Sequence, residues 1–256
     1  MIAVGNWLAV NKREVTYIAF GVLFVIRVMS GYFLATYGDN IPPLFEKVYF
    51  TVPIITLSIF ILANKNELDR FNIDKYVIYT FVLLGIMLFL SFWLSLMGIA
   101  AVVSSIVVMA ILPSLKIEHN RKKSFFYTIF FILIGIIPEL FLKMLFTDLD
   151  QNYKFFSGLS IGTIIAINSI TLWNVTFEEL LFRSILWKIL NDWKFSSNKI
   201  ILIQAFLFWL VHFRFTVFGL AVLVFGVWAG FLTLRSKSLT PSIATHFVHN
   251  ITSRLF

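Results

Sequence analysis

Three short clusters put ionisable side chains inside otherwise apolar sequence. They are Phe177-Glu178-Glu179-Leu180-Leu181-Phe182-Arg183, Phe208-Trp209-Leu210-Val211-His212 and His246-Phe247-Val248-His249-Asn250. A charge at the centre of a bilayer costs about 3 kcal/mol on insertion scales. Two carboxylates, a guanidinium and several imidazoles in such surroundings therefore point to use.

The types and spacings suggest what that use is. Adjacent residues on a helix point about 100° apart, so Glu178 and Glu179 have different neighbours and different work. Glu179 and Arg183 are spaced i,i+4 and share a face, which reads as an ion pair that clamps the helix. Glu178 is left without an evident local cation, and such a carboxylate is the one free to take a proton from water. His246, His249 and Asn250 lie at i, i+3 and i+4 on one face, where two donors aimed at one point would stabilise an oxyanion. Phe208 stands one turn before His212 and supplies an apolar wall. Each of these features also has a plain structural reading. A histidine in a membrane helix commonly bonds a neighbouring helix, and Arg27 in the first apolar run either snorkels to the interface or pairs with Glu139.

The elements that must carry these residues are long apolar runs. Of the 256 residues, 59% are hydrophobic and 13% charged, with a mean hydropathy of +0.90. A soluble domain carries about 25% charged residues, so an integral membrane protein is expected. A span needs about 20 mostly apolar residues. The candidates are 15–36, 46–63, 76–96, 98–115, 124–146, 159–190, 199–213, 217–234 and 240–255. The break between the third and fourth rests on Met97-Gly98, so the fold class is an all-α polytopic membrane protein of eight to nine spans. It reads as a single integral membrane domain over 1–256, with N-terminal spans in 1–150 and the chemistry-bearing core in 159–255. The first run, from Val15 to Tyr37, is too long for a signal-peptide core and reads as an uncleaved span. The segment 159–190 exceeds the length of one span, so it tilts or emerges into the interface near Trp187 to Asp192. The absence of cysteine excludes disulfides, thiolate metal sites and cysteine nucleophiles. The net charge of +8 comes from scattered loop lysines and arginines rather than a nucleic-acid surface.

Those basic residues set an orientation. With a cytoplasmic N-terminus, 14 of them fall inside and 5 outside, the other two being Arg27 and Arg183 within spans. Such a bias is what the positive-inside rule describes, and it places the protein as a multi-pass cell-membrane protein.

Taken in order, Glu178-Glu179-x-x-x-Arg183, Phe208-x-x-x-His212 and His246-x-x-x-Asn250 resemble the motifs of the CPBP family, the CAAX-processing and bacteriocin-processing intramembrane proteases also called Abi. Ser238-Leu239-Thr240-Pro241-Ser242-Ile243 before His246 resembles that family's last motif. The likeness covers 159–255. It implies a catalytic cavity among the last four spans, with Glu178 as general base, His212 holding the attacking water, and His246 and Asn250 forming the oxyanion hole. Glu179 and Arg183 would support that geometry. Trp209 departs from the smaller residue often found there, and His249 offers a second imidazole that is either an alternative ligand or packing.

The resemblance implies hydrolysis of a peptide bond in or near the membrane, in a prenylated CAAX-type protein or a bacteriocin or pheromone precursor. Expected partners are membrane lipid and a membrane-associated peptide or protein, and no nucleic acid. No cofactor is required on the favoured glutamate mechanism; on a zinc mechanism Glu178, His212 and His246 would be the ligands. H-E-x-x-H is lacking, and Asn250 suits an oxyanion hole better than zinc. The rival readings are a noncatalytic scaffold, sensor or immunity protein of the same fold, and a transporter, since buried Glu, Arg and His also mark transport paths.

The orientation is open to a direct test in this cysteine-free chain. A cysteine introduced at His119 should resist an impermeant thiol reagent in intact cells, and one at Asp150 should react. The reverse labelling would overturn a cytoplasmic N-terminus.

Overall fold

A computed structural model describes residues 10–37, 42–91, 96–111, 125–129, 161–213 and 219–255. Among these residues the secondary structure is entirely helical. Helices α1 (Lys12–Tyr37), α2 (Pro43–Asn64), α3 (Lys75–Ser91) and α4 (Leu96–Ile111) form the first half. The second half has α5 (Ile161–Glu179), a π-helical segment (Leu180–Leu186), α6 (Trp187–Asp192), α7 (Ser197–Leu210), α8 (Leu220–Ser236) and α9 (Thr240–Leu255). The expected span 124–146 lies almost wholly outside the described residues, as does Glu139.

The composition explains the helices. α1 and α2 are long and apolar enough to cross a membrane, while α7 and α8 are apolar but shorter. Their apolar residues face outward as well as inward. Ile18, Val25, Leu83, Ile106, Phe206 and Val224 are exposed on the surface, whereas Leu23, Ile54, Leu57, Phe60, Phe81 and Phe182 are fully buried in one continuous core. A helix that is apolar on all sides suits a lipid surround. Pro43 opens α2 at a position where a missing N–H is harmless.

The two halves interlock around the segment that carries the carboxylates. α1 packs on α2 and on the π-helical segment, α3 packs on α5, and α9 packs on both α5 and α8. A polar knot fixes the entry to α9. Asp74 caps α3, its Oδ1 accepting from the backbone N–H groups of Tyr76 and Val77 at 2.9 and 3.1 Å. Its Oδ2 accepts from the hydroxyls of Ser238 and Thr240. Leu239 N–H donates to the Asn72 carbonyl at 2.9 Å. The loop preceding α9 is thus tied to the loop preceding α3, which sets where His246 begins its turn.

At the end where α1 begins and α6 finishes, Glu67 pairs with both Lys12 and Arg70. The hydrogen bond from Lys12, with Arg70 adding, holds the Glu67 carboxyl below the ordinary glutamate range. Arg13, Lys188 and Asp192 line the same cavity.

Two expectations are corrected. The run 159–190 is not one uniform α-helix: it changes to π geometry immediately after Glu179 and returns to α at Trp187. The run 199–213 is helical only to Leu210, so His212 sits in the turn beyond α7.

Candidate active site

Glu178 and Glu179 close α5, and the chain then widens into seven π-helical residues that are all buried. Single π turns within helices are uncommon and occur often at functional sites. Here the segment carries Arg183, which is fully buried and joins several parts of the site. Its Nη1 donates to Glu179 Oε1 at 3.2 Å, its Nη2 donates to the Gly226 carbonyl at 3.3 Å, and its guanidinium lies 4.2 Å from the centre of the Phe208 ring. A desolvated cation–π contact contributes about 2 kcal/mol. The expected Glu179–Arg183 clamp is present, and Phe208 forms its floor.

Phe208 also gathers the imidazoles. Its ring centre is 4.5 Å from that of His212 and 5.7 Å from that of His246. Phe225 of α8 closes the other side, 4.7 Å from His246 and stacked on His249 at 5.4 Å. Asn250 follows His246 by one turn on α9 and is half-buried.

The ring protons can be assigned from their partners. His212 Nδ1 is 2.6 Å from the Phe208 carbonyl, and a carbonyl only accepts, so Nδ1 carries a proton. His246 Nδ1 is 2.9 Å from Glu179 Oε1. That oxygen belongs to a carboxylate already paired with Arg183, so His246 Nδ1 also donates. Both rings therefore turn Nε2 inward, toward the same atom. Glu178 Oε2 lies 3.9 Å from His212 Nε2 and 3.8 Å from His246 Nε2.

The reading of Glu178 as a carboxylate without a cation is wrong. Its Oε1 is 2.8 Å from Arg27 Nε, and both side chains are nearly buried. The contact is an ion pair rather than an aligned hydrogen bond, since the Nε–H is not directed along it. Arg27 Nη1 donates to the Val211 carbonyl at 3.2 Å. Arg27 therefore reaches this site from α1, while Glu139, the other partner expected for it, lies outside the described residues. The residues around Glu178 thus come from more than the last four spans. The signal for Arg27 was in the sequence, as a lone arginine in an apolar run, but its partner lies 151 positions away.

Each charged pair is buried, so removing one member strands the other. Glu179→Gln and Arg183→Ala should each lower the melting temperature in detergent, at a cost of about 3–5 kcal/mol. Wild-type stability in both variants would show that the clamp contributes nothing to folding.

Residues 159–252 match the family model described as type II CAAX prenyl endopeptidase Rce1-like. No curated protein and no solved structure matches the chain. The matched stretch holds Glu178, Glu179, Arg183, His212, His246 and Asn250, and over it the chain is similar to that family.

Proposed function

We propose that this protein is an intramembrane endopeptidase that activates water on Glu178. The observation that supports this most strongly is the pair of gaps around Glu178 Oε2, 3.9 and 3.8 Å from two inward-facing imidazole nitrogens. Gaps beyond about 3.5 Å are too long for direct hydrogen bonds and suit a bridging water. A water there would donate one hydrogen to Glu178 Oε2 and the other to His212 Nε2, which accepts because its proton is on Nδ1.

The reaction follows from that placement. Glu178 takes the water's proton as the oxygen adds to the scissile carbonyl. The carbonyl oxygen becomes an oxyanion, received by His246 Nε2–H and the Asn250 amide. Because His246 Nδ1 already donates to Glu179, its Nε2 donates only when the ring is doubly protonated, with Glu179 as counter-ion. Glu178 then passes its proton to the leaving nitrogen, the C–N bond breaks, and a carboxylic acid and an amine depart. Attack by water leaves no acyl-enzyme intermediate.

The family description supports a prenylated CAAX-type protein as substrate; a bacteriocin or pheromone precursor is the alternative class. The enzyme would be multi-pass with a cytoplasmic N-terminus. The gathering of Lys12, Arg70 and Lys188 around one cavity supports that orientation.

A metal is not required in this scheme. The Arg27 guanidinium against Glu178 opposes a dication on the same carboxylate, which supports the glutamate mechanism over zinc on Glu178, His212 and His246. Purified enzyme treated with a strong chelator and dialysed should keep its activity. Loss of activity that zinc alone restores would reverse this.

Cleavage of a candidate peptide in detergent separates an enzyme from a scaffold or a transporter. Glu178→Gln should abolish cleavage. It should also lower stability, because Arg27 loses its counter-ion. Asn250→Ala should reduce kcat by about 10²–10³ with substrate still bound, and His249→Ala should matter far less. Full activity in Glu178→Gln would remove the general base from the scheme, and a larger loss in His249→Ala than in His246→Ala would move the oxyanion role to the other histidine.

A further inference from the structure

Arg27 stands apart from every other residue of the site. It comes from α1, outside the stretch that matches the family, and is 6% exposed. It touches two pieces of the site at once. Nε faces Glu178 Oε1 at 2.8 Å, and Nη1 donates to the carbonyl of Val211, the residue before His212, at 3.2 Å. The two oxygens of Glu178 are thereby divided, Oε1 to the guanidinium and Oε2 to the imidazoles.

The backbone is arranged for this reach. Gly31 lies one turn beyond Arg27 on α1. A Cβ there would come within 2.2 Å of the Val211 carbonyl oxygen, so only glycine lets α1 approach the end of α7 this closely. Val211 and Phe213 in turn flank His212, which lies past the last helical residue of α7 and takes its place from this turn. Phe213 has a left-handed φ of 51°, so the turn relies on outside contacts to hold it.

We infer that Arg27 is a positioning residue. By bridging Glu178 Oε1 and the Val211 carbonyl, it holds Oε2 and His212 Nε2 at the separation that seats the attacking water. This rests on the endopeptidase reading above. A buried arginine serving only to balance charge would need the Glu178 contact alone. Bridging needs the forked geometry of a guanidinium, which a lysine ammonium lacks.

Arg27→Lys tests the difference, because it keeps the charge and loses the fork. The purified variant should melt near the wild type and keep its KM, while kcat on a peptide substrate falls about 10²-fold, the scale of an ångström-sized misplacement. Wild-type kcat in Arg27→Lys would overturn the inference and leave the endopeptidase reading standing. So would a loss confined to KM. A wild-type protein that cleaves no peptide would overturn the reading, and the inference with it. Should Arg27→Lys fail to fold, Gly31→Ala is the second variant. It pushes α1 off Val211 without changing any charge, and should show the same kcat-selective loss. Unchanged kcat in that variant would overturn the bridging role.

Discussion

Two adjacent carboxylates buried in an apolar interior must each find a cation, and the plan of this site follows from where the two cations come from. Glu178 and Glu179 point in different directions from the end of α5, so no single arginine can serve both. Glu179 is matched by Arg183 from the next turn of its own segment. Glu178 is matched by Arg27 from the far end of the sequence. With neutral imidazoles the four charges cancel. Breaking either pair strands a charge in a buried site, at a cost far above that of an exposed pair.

The switch to π geometry after Glu179 belongs to the same solution. A π segment is wider than an α turn and departs from the regular i→i+4 ladder. Within it Arg183 pairs with Glu179, donates to the Gly226 carbonyl and lies over the Phe208 ring. The Gly226 contact needs α8 close to α7. A Cβ on Gly226 would come within 2.9 Å of Ala205 Cα, so the glycine sets how near the two helices lie. Phe208 then has the guanidinium and both imidazoles around it, and one aromatic ring fixes the relative positions of three polar groups.

How much of this was legible depended on the range of each interaction. The helices of the first half and α8 and α9 were readable as apolar runs, because burial in lipid or core leaves a continuous signature. The Glu179–Arg183 pair was readable because both partners lie within one turn. The shared face of His246 and Asn250 was readable for the same reason. The end of α7 was not: Leu210, Val211 and Phe213 continue the apolar run, so nothing in the composition marks His212 as lying beyond the helix. The π segment left no trace, since Leu180 to Leu186 suits an α-helix equally well. The partner of Arg27 was hidden for a different reason. An ion pair between α1 and α5 has no periodicity, and a second carboxylate, Glu139, offered itself as an alternative.

The fixed ring protons give the two histidines unequal parts in the proposed reaction. Each Nδ1 is committed, His212 to a backbone carbonyl and His246 to a carboxylate. A carbonyl has no charge to offer, so His212 is suited to remain neutral and accept a hydrogen bond through Nε2 from the incoming water. A carboxylate at 2.9 Å does offer charge, and Glu178 lies on the other side of the same ring. His246 is therefore the imidazole placed to meet a developing oxyanion through Nε2 in the proposed reaction. Glu179 thus has a second duty beyond the clamp. It fixes which nitrogen of His246 faces the reacting centre, and it is itself held in place by Arg183. In the proposed reaction the chain Arg183, Glu179, His246 would align the donor, as the chain Val211, Arg27, Glu178 would align the base. The water and the scissile carbonyl would meet where these two chains end.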